Sequence, residues 1–263
     1  MTPPPFCVEP VAAAAFSFLR GASLPGEMVA RAQALGMAGI GVADRNTVAG
    51  VVRAHVAWKQ AGLRDSGFRL LVGARLVFAD GTPDIVAYPV DRPGWGRLTR
   101  LLTLGNRRTE KGECLLNLPD LLDHAEGLAL IAMDSEPALL ATLREAAPHL
   151  WLAATMPRAG NDARELARRM ALSAGARVPL IATNDARYAT SECRPLHDVM
   201  TCIREGIRIG EAGLRLAPNA ERHLKSPSDM ARLFAGHEAA LARTIEIAQA
   251  CTFSLDELRY EYP

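Results

Sequence analysis

The sequence predicts an α/β fold of the barrel type, on three observations. Short apolar or β-branched runs alternate with longer helical patterns over residues 1–190, which is how parallel βαβ units read in sequence. The 263 residues, 49% of them hydrophobic, can fill the core of one large domain or two modest ones, and an α/β barrel of about 250 residues is an ordinary single domain. Charged side chains also gather where the strands would end, the edge at which such barrels carry function.

Taken in order, Pro25 and Glu27 open a helix over Glu27–Leu35, and Gly36 closes it. Ala38–Ala43 reads as a buried second strand and Val48–Ala61 as a helix. Leu70–Phe78 and Ile85–Val90 read as strands, followed by a helix over Gly94–Leu104. Gly127–Met133 is strand-like and Glu136–Ala146 helical; Leu150–Thr155 is strand-like and Asp162–Ala174 helical; Pro179–Thr183 is the last strand. After about Ser191 the strands stop and the chain reads as helical to Cys251, with Ser226–Asp229 as the N-cap of a helix running to Phe234. The expected organisation is a barrel over residues 1–190 and a helical extension over 191–263.

Composition excludes several classes. Thirty basic and 29 acidic residues give a net charge of +1, so no global field marks a nucleic-acid coat. Five cysteines, odd in number and without CxxC or CxxH spacing, argue for reduced thiols and against a disulfide framework or zinc knuckle. The N-terminus has no basic and apolar leader pattern, and no uncharged run approaches the roughly 20 residues that span a bilayer. A cytoplasmic protein is expected. No GxxxxGK[ST] or GxGxxG loop occurs, and no serine or cysteine has a nearby His/Asp pattern.

The polar residues at strand ends are Asp44, Arg45 and Asn46 after the second strand, Arg75 within the third, Asp84 at the start of the fourth, and Asn184, Asp185 and Arg187 after the last. Arg75 is the oddest, because it interrupts an apolar strand. Six scattered histidines form no i, i+4 pair and read as surface or capping residues. Trp95, between glycines and flanked by Arg92, Arg97 and Arg100, reads as packed inward at a solvated helix start. Arg107, Arg108 and Lys111 read as a solvated basic loop.

Phe16–Ser23 (FSFLRGAS), Asp44–Gly50 (DRNTVAG), Leu71–Ala74 (LVGA) and Ala182–Asp185 (ATND) resemble consecutive motifs of the PHP (polymerase and histidinol phosphatase) domain that begins bacterial C-family DNA polymerases. Leu196–Gly206, Pro218–Leu224 and Phe253–Pro263 continue the match, which is similar to the error-prone, ImuC-type branch more than to the replicative α subunit. The resemblance covers essentially the whole chain. It implies a distorted (β/α)7 barrel with a C-terminal helical extension, set at the start of an error-prone, translesion DNA polymerase.

The same resemblance implies positions for a metal cluster, and few ligands stand there. The His-x-His pair falls on Val11 and Ala13, and four further ligand positions fall on Arg20, Arg45, Arg75 and Arg187. Asp185 is kept, and a histidine position at the start of the fourth strand falls on Asp84. Methyl and guanidinium groups do not coordinate divalent cations. Losing the cations while keeping Asp44, Asp84 and Asp185 would leave buried carboxylates uncompensated, and guanidinium groups can replace them by bidentate pairing. Arg20, Asp44, Arg45, Arg75, Asp84, Asp185 and Arg187 are therefore expected either to form an internal Arg–Asp network or to retain an anion pocket for a phosphate, unless some of these arginines simply point to solvent.

The expected function is a metal-free, catalytically inactive platform with no catalytic residues and no cofactor. The alternative is a metal-dependent phosphoesterase, either a 3′–5′ exonuclease or a pyrophosphatase. The resemblance implies Mg2+ for the polymerase core beyond residue 263. As partners it implies that core and, through the full-length protein, DNA, the sliding clamp and ImuA/ImuB-type accessory proteins. The segment Ser191–Pro263 is expected to dock on the polymerase core through an apolar patch around Phe253, Leu255 and Leu258, with the aromatic tail Tyr260–Tyr262 beside it.

Overall fold

Seven short strands, nearly every residue of them apolar, hydrogen-bond in chain order: β1 Val8–Ala12, β2 Gly39–Arg45, β3 Arg69–Leu76, β4 Ile85–Pro89, β5 Leu128–Ala132, β6 His149–Ala154 and β7 Leu180–Ala182. The computed structural model describes residues 6–147 and 149–258. Strands β1 to β3 are parallel, and so are β5 to β7; β4 runs antiparallel to both its neighbours. That reversal departs from the all-parallel pattern the alternation predicts. Its cause is the short link 77–84, which is too brief for the crossover helix that a parallel return needs.

The sheet curls until its edges almost meet. Past β7, the Ala186 N–H donates to the Val11 carbonyl (3.0 Å) and the Ala13 N–H donates to the Ala186 carbonyl (2.8 Å). The chain beyond β7 thereby joins β1 and leaves neither edge open.

Helices α1 (Pro25–Ala34), α2 (Val51–Gln60) and α3 (Arg92–Arg107) lie within a few residues of the predicted spans. Their common boundary signal is a proline or glycine at the first turn, and the Asp91 carboxylate caps α3 by accepting from the Gly94 N–H at 2.8 Å. The five-residue α4 (Leu118–Leu122) escaped prediction because it is too short to show a period; Asp120 caps it by accepting from the Asn117 N–H at 2.8 Å. Helices α5 (Pro137–Ala146) and α6 (Asp162–Ala176) follow the predicted pattern.

Side chains alternate between the two faces of the sheet. Val11, Ala43, Tyr88, Ile131, Trp151 and Ile181 cluster on one face, which lies inside the barrel. Leu76, Ile85, Leu130 and Leu152 meet Leu98, Leu101, Leu140 and Leu166 from the surrounding helices on the other. Tyr88 crosses the interior and donates its hydroxyl to the Pro10 carbonyl at 2.7 Å. Its ring occupies the space beside Gly73: a methyl group there would sit 2.2 Å from the Ala87 carbonyl oxygen and 2.5 Å from the ring.

The helices after Ser191 have two destinations. In α8 (Pro227–Leu233), capped by Ser226 as predicted, Met230 is buried in the main core together with the following Phe234. In α9 (Glu238–Ala250), Ile247 and Ala248 join the barrel-interior cluster, and the Thr244 hydroxyl accepts from the Val8 N–H at 3.1 Å. Because Val8 begins β1, α9 closes the amino ends of the strands. Phe253 continues this closure: it is 5% exposed and stacks on Trp95 with centroids 5.0 Å apart, while Leu255 and Leu258 pack beside it. The exposed patch expected around these three residues is therefore corrected to a satellite core. The tail Tyr260–Tyr262 lies outside the described residues.

Helix α7 (Arg194–Glu205) behaves differently. It buries His197, Thr201 and Cys202 and leaves Leu196, Val199 and Ile203 exposed. Residues 206–226 are mostly turns and extended chain rather than the expected helix, since Gly206, Gly213 and Pro218 interrupt any helical run. No helix among the described residues is long and apolar enough to cross a membrane.

The contact around Gly73 yields a first test. Gly73→Ala is expected to destabilise the domain by about 1–3 kcal/mol, the usual cost of overpacking a dense core, as read by denaturant unfolding. An unchanged midpoint would show that Tyr88 and β4 shift freely.

Candidate functional site

Parallel strands β1, β2, β3 and β7 end at the same rim, and the chain turns sharply there. Leu19, Asn46 and Asp185 all have positive φ (58°, 49° and 47°). Asn46 tolerates this conformation better than most residues, and its side chain is clamped to the chain after β3: Oδ1 accepts from the Val77 N–H at 2.8 Å, and Nδ2 donates to the Val77 carbonyl at 3.1 Å. Asp185 is held by charge. Arg75 and Arg222 each donate to one of its carboxylate oxygens, and Arg222 Nε also donates to its carbonyl at 2.9 Å. A second guanidinium nitrogen of Arg75 reaches Asp84 at 3.3 Å.

The side chains of Arg75 and Asp185 are 14% and 8% exposed. Burial works against the charge of Asp185, but Arg222, Arg75 and Arg187 outweigh it and hold the carboxyl well below the usual carboxylate range. Burial likewise opposes the charge on Arg75, and Asp185 and Asp84 more than offset it. Both groups are ionised, and each makes the other's burial tolerable.

Arg222 was legible in the sequence only as part of the Pro218–Leu224 motif. It reaches the rim because the segment 222–224 pairs with the continuation of β7: the Arg187 N–H donates to the Arg222 carbonyl at 2.8 Å, and Tyr188 bridges His223 in parallel.

The other predicted site residues separate into three kinds. Val11 and Ala13 are buried; Val11 belongs to the barrel interior and Ala13 borders the rim cavity. Asp44 is buried but joins no arginine, which corrects its expected place in the network. It accepts from the Ala14 N–H and the Ser17 hydroxyl, both at 2.7 Å, and its other carboxylate oxygen has no partner among the described residues. Burial raises its pKa despite the hydrogen bonds from Ser17 and Ala14. Ser17 in turn accepts from the Arg45 N–H at 3.0 Å, so Asp44 fixes the turn that follows β1 rather than balancing a cation.

Arg20, Arg45 and Arg187 converge with Arg75 on one cavity of about 270 Å3 at the rim. None of the three has an ion-pair partner within 4.0 Å among the described residues. Burial, then the charges of Arg45 and Arg204, lowers the pKa of Arg20. Burial, then the neighbouring Arg222, pulls Arg187 down to about 10 even though Asp185 works the other way.

Sequence reasoning missed Glu9. It lies in β1, is 1% exposed, and faces the start of the β7 extension. Its carboxylate accepts from the Val11 and Asn184 N–H groups, both at 3.0 Å, and from the Thr183 hydroxyl. Burial pushes its pKa up to about 7 against these three hydrogen bonds, with Asp185 adding to the rise. A lone acidic residue between Val8 and Pro10 carried no periodic signal that would have marked it.

This donor set does not fit a divalent metal centre. Asp84 and Asp185 are already engaged by guanidinium groups, and Val11, Ala13, Arg20, Arg45, Arg75 and Arg187 have no group that coordinates a cation. Among the described residues no three or more His, Cys, Asp or Glu side chains gather where they could hold a metal ion.

The fold and rim together define a class: a nearly closed, seven-stranded α/β barrel whose strand-end site is ion-paired rather than metal-binding. The family model described as "PHP domain" matches residues 14–176, and the chain belongs to that family. It is homologous to bacterial error-prone DNA polymerases. It is 51% identical over 263 residues to the error-prone DNA polymerase of Brucella abortus, covering 97% of this chain and 24% of that one. To the error-prone DNA polymerase of Caulobacter vibrioides it is 47% identical over 267 residues, covering 99% and 24%. The chain thus spans about a quarter of the length of the curated relatives it matches. Among solved structures, an amidohydrolase from Chromobacterium violaceum matches with a TM-score of 0.47 at 14% identity, covering 69% of this chain and 87% of that one.

Two outcomes are expected from this site. Arg75→Ala should destabilise the domain by about 3–5 kcal/mol, because it leaves Asp84 and Asp185 with fewer cations to balance them; Arg75→Glu should cost more. A melting temperature unaltered by both would exclude the ion cluster as a stabilising element.

Glu9 sets the second. A carboxyl whose pKa is raised to about 7 on folding keeps its proton in the native state while the unfolded chain loses it. Stability from this group is therefore full below the unfolded value near 4.5 and falls as pH rises towards 7, by at most about 1.4 kcal/mol per pH unit. Buried His197, with its pKa lowered to about 4 by burial and then by Arg187, acts in the opposite sense and loses stability as pH falls below 6.5. Comparison with Glu9→Gln separates the two, since His197 is common to both proteins. Between about pH 5 and about pH 7.5 the wild type should lose stability relative to Glu9→Gln; parallel curves would show that Glu9 is ionised throughout.

Proposed function

We propose that this domain performs no chemistry of its own and serves as a structural platform for the polymerase core of an error-prone, translesion DNA polymerase in the cytoplasm. The observation that carries this reading is the outer face of α7. Leu196, Val199 and Ile203 lie at helical spacing on that face, Ile203 is 61% exposed, and Ile209 and Leu214 extend the apolar surface past the helix end. A cleft of about 570 Å3 between Val199, Ile203 and Ile209 continues it.

An unpartnered apolar stripe of this kind is costly in water and marks a contact surface. Its proposed occupant is the remainder of a longer polymerase chain, given the length of the relatives. Within the 191–263 extension, α8 and α9 complete the barrel, so the docking role falls to α7 and the turns after it. An interface within one chain of this type buries on the order of 600–1,500 Å². DNA, the sliding clamp and ImuA/ImuB-type accessory proteins are then partners of the whole polymerase, reached through this platform rather than bound by the barrel. Damage-induced synthesis and its Mg2+ belong to the core.

Hydrogen exchange tests the docking role. In the full-length polymerase, residues 196–214 should be more protected than in the 263-residue chain, while α8 and α9 should exchange equally in both. Equal exchange over 196–214 would remove the platform reading. Elemental analysis of the dialysed protein should find less than one equivalent of zinc or manganese; tightly bound metal together with phosphoesterase turnover would favour an active enzyme.

A further inference from the structure

The arginines of the rim outnumber the carboxylates that could neutralise them. Arg75 is neutralised by Asp84 and Asp185, and Arg204 by Glu205 at 3.0 Å. Arg204 is also fixed in place, donating to the Leu19 carbonyl at 2.9 Å. Arg20, Arg45 and Arg187 line the same cavity with no carboxylate within ion-pair distance among the described residues. Their positions are imposed by the backbone. Arg45 stands directly beside Arg75 in the β2–β3 register, and the Arg187 main chain is hydrogen-bonded on both sides, to Ala22 and Arg222. Like charges that line one cavity repel one another unless an anion lies between them.

We propose that this cavity binds a phosphate group, held by Arg20, Arg45 and Arg187. Guanidinium groups present paired N–H donors that match phosphate oxygens, and their charge needs no metal to assist it. The volume of about 270 Å3 leaves room for a phosphate and several waters, each taking about 30 Å3. The ligand has a way in. Arg20 and Arg45 also line a wider cleft of about 950 Å3, in which Phe16 and the 78%-exposed Phe18 offer aromatic surface. Burial first, and then the charge of neighbouring arginines, lowers the pKa of Arg20 and Arg187, in accord with cations that an entering anion would stabilise. The proposal is independent of the docking of α7, and either can fail alone.

Calorimetric titration of the 263-residue chain in chloride buffer at fixed ionic strength, with inorganic phosphate, pyrophosphate and a deoxynucleoside 5′-monophosphate, tests it. Saturable binding is expected, with a rise in melting temperature on adding the bound anion. Arg187→Met and Arg45→Met should each weaken binding about tenfold or more, the value of a charged hydrogen bond or two, whereas Arg53→Met, on the exposed face of α2, should not. Relief of repulsion should leave Arg187→Met at least as stable as the wild type without phosphate, so a loss of binding is not a loss of folding. Tighter binding of the nucleotide, reduced by Phe18→Ala, identifies a nucleotide phosphate as the ligand; equal affinities identify the inorganic anions. No saturable binding at millimolar concentration, or equal binding by wild type and Arg187→Met, would overturn the proposal.

Discussion

The carboxylate of Asp185, shared between Arg75 and Arg222, is the interaction on which the rim of this barrel depends. It ties together three parts of the chain: the third strand, the left-handed turn after the seventh, and the extended segment leading to α8. Taking three charges out of water is expensive, and their attraction repays that cost only when the geometry is complete. Asp185 meets this condition by accepting at both oxygens, and it holds its positive φ while doing so. The segment 222–224 is thereby pinned alongside β7, and the chain is delivered to the position from which α8 and α9 enter the core.

The two ends of the barrel consequently have opposite chemistry. At the amino ends of the strands α9 and Phe253 close the interior with apolar contacts. At the carboxyl ends the rim concentrates guanidinium groups beyond what its carboxylates neutralise. The guanidinium groups balance Asp84 and Asp185 without a metal and leave a surplus of positive charge facing the cavity. Glu9 is the counter-case. With three hydrogen bonds but no ion-pair partner among the described residues, Glu9 has its pKa raised by burial, whereas the guanidinium groups around Asp185 lower that of a similarly buried carboxyl.

The short β1, broken by Glu9 and Pro10, did not stand out in the sequence, whereas the other six strands and the main helices did. These are local properties: apolar runs, capping residues, and motifs in fixed order. Arg75 stood out as a charge in an apolar strand, and its pairing with Asp84 and Asp185 follows from the need to balance a buried cation. The remaining features arise in three dimensions. The antiparallel β4, the separation of Asp44 from the arginines, and the entry of Arg222 into the cluster depend on where chain segments distant in sequence come to lie. The same holds for Phe253, an exposed aromatic on local grounds and a buried one once Trp95 is placed against it. Burial and pairing are sums over neighbours in space, and residues such as Glu9, fixed by Thr183 and Asn184 from the far edge of the sheet, acquire those neighbours only when the barrel closes.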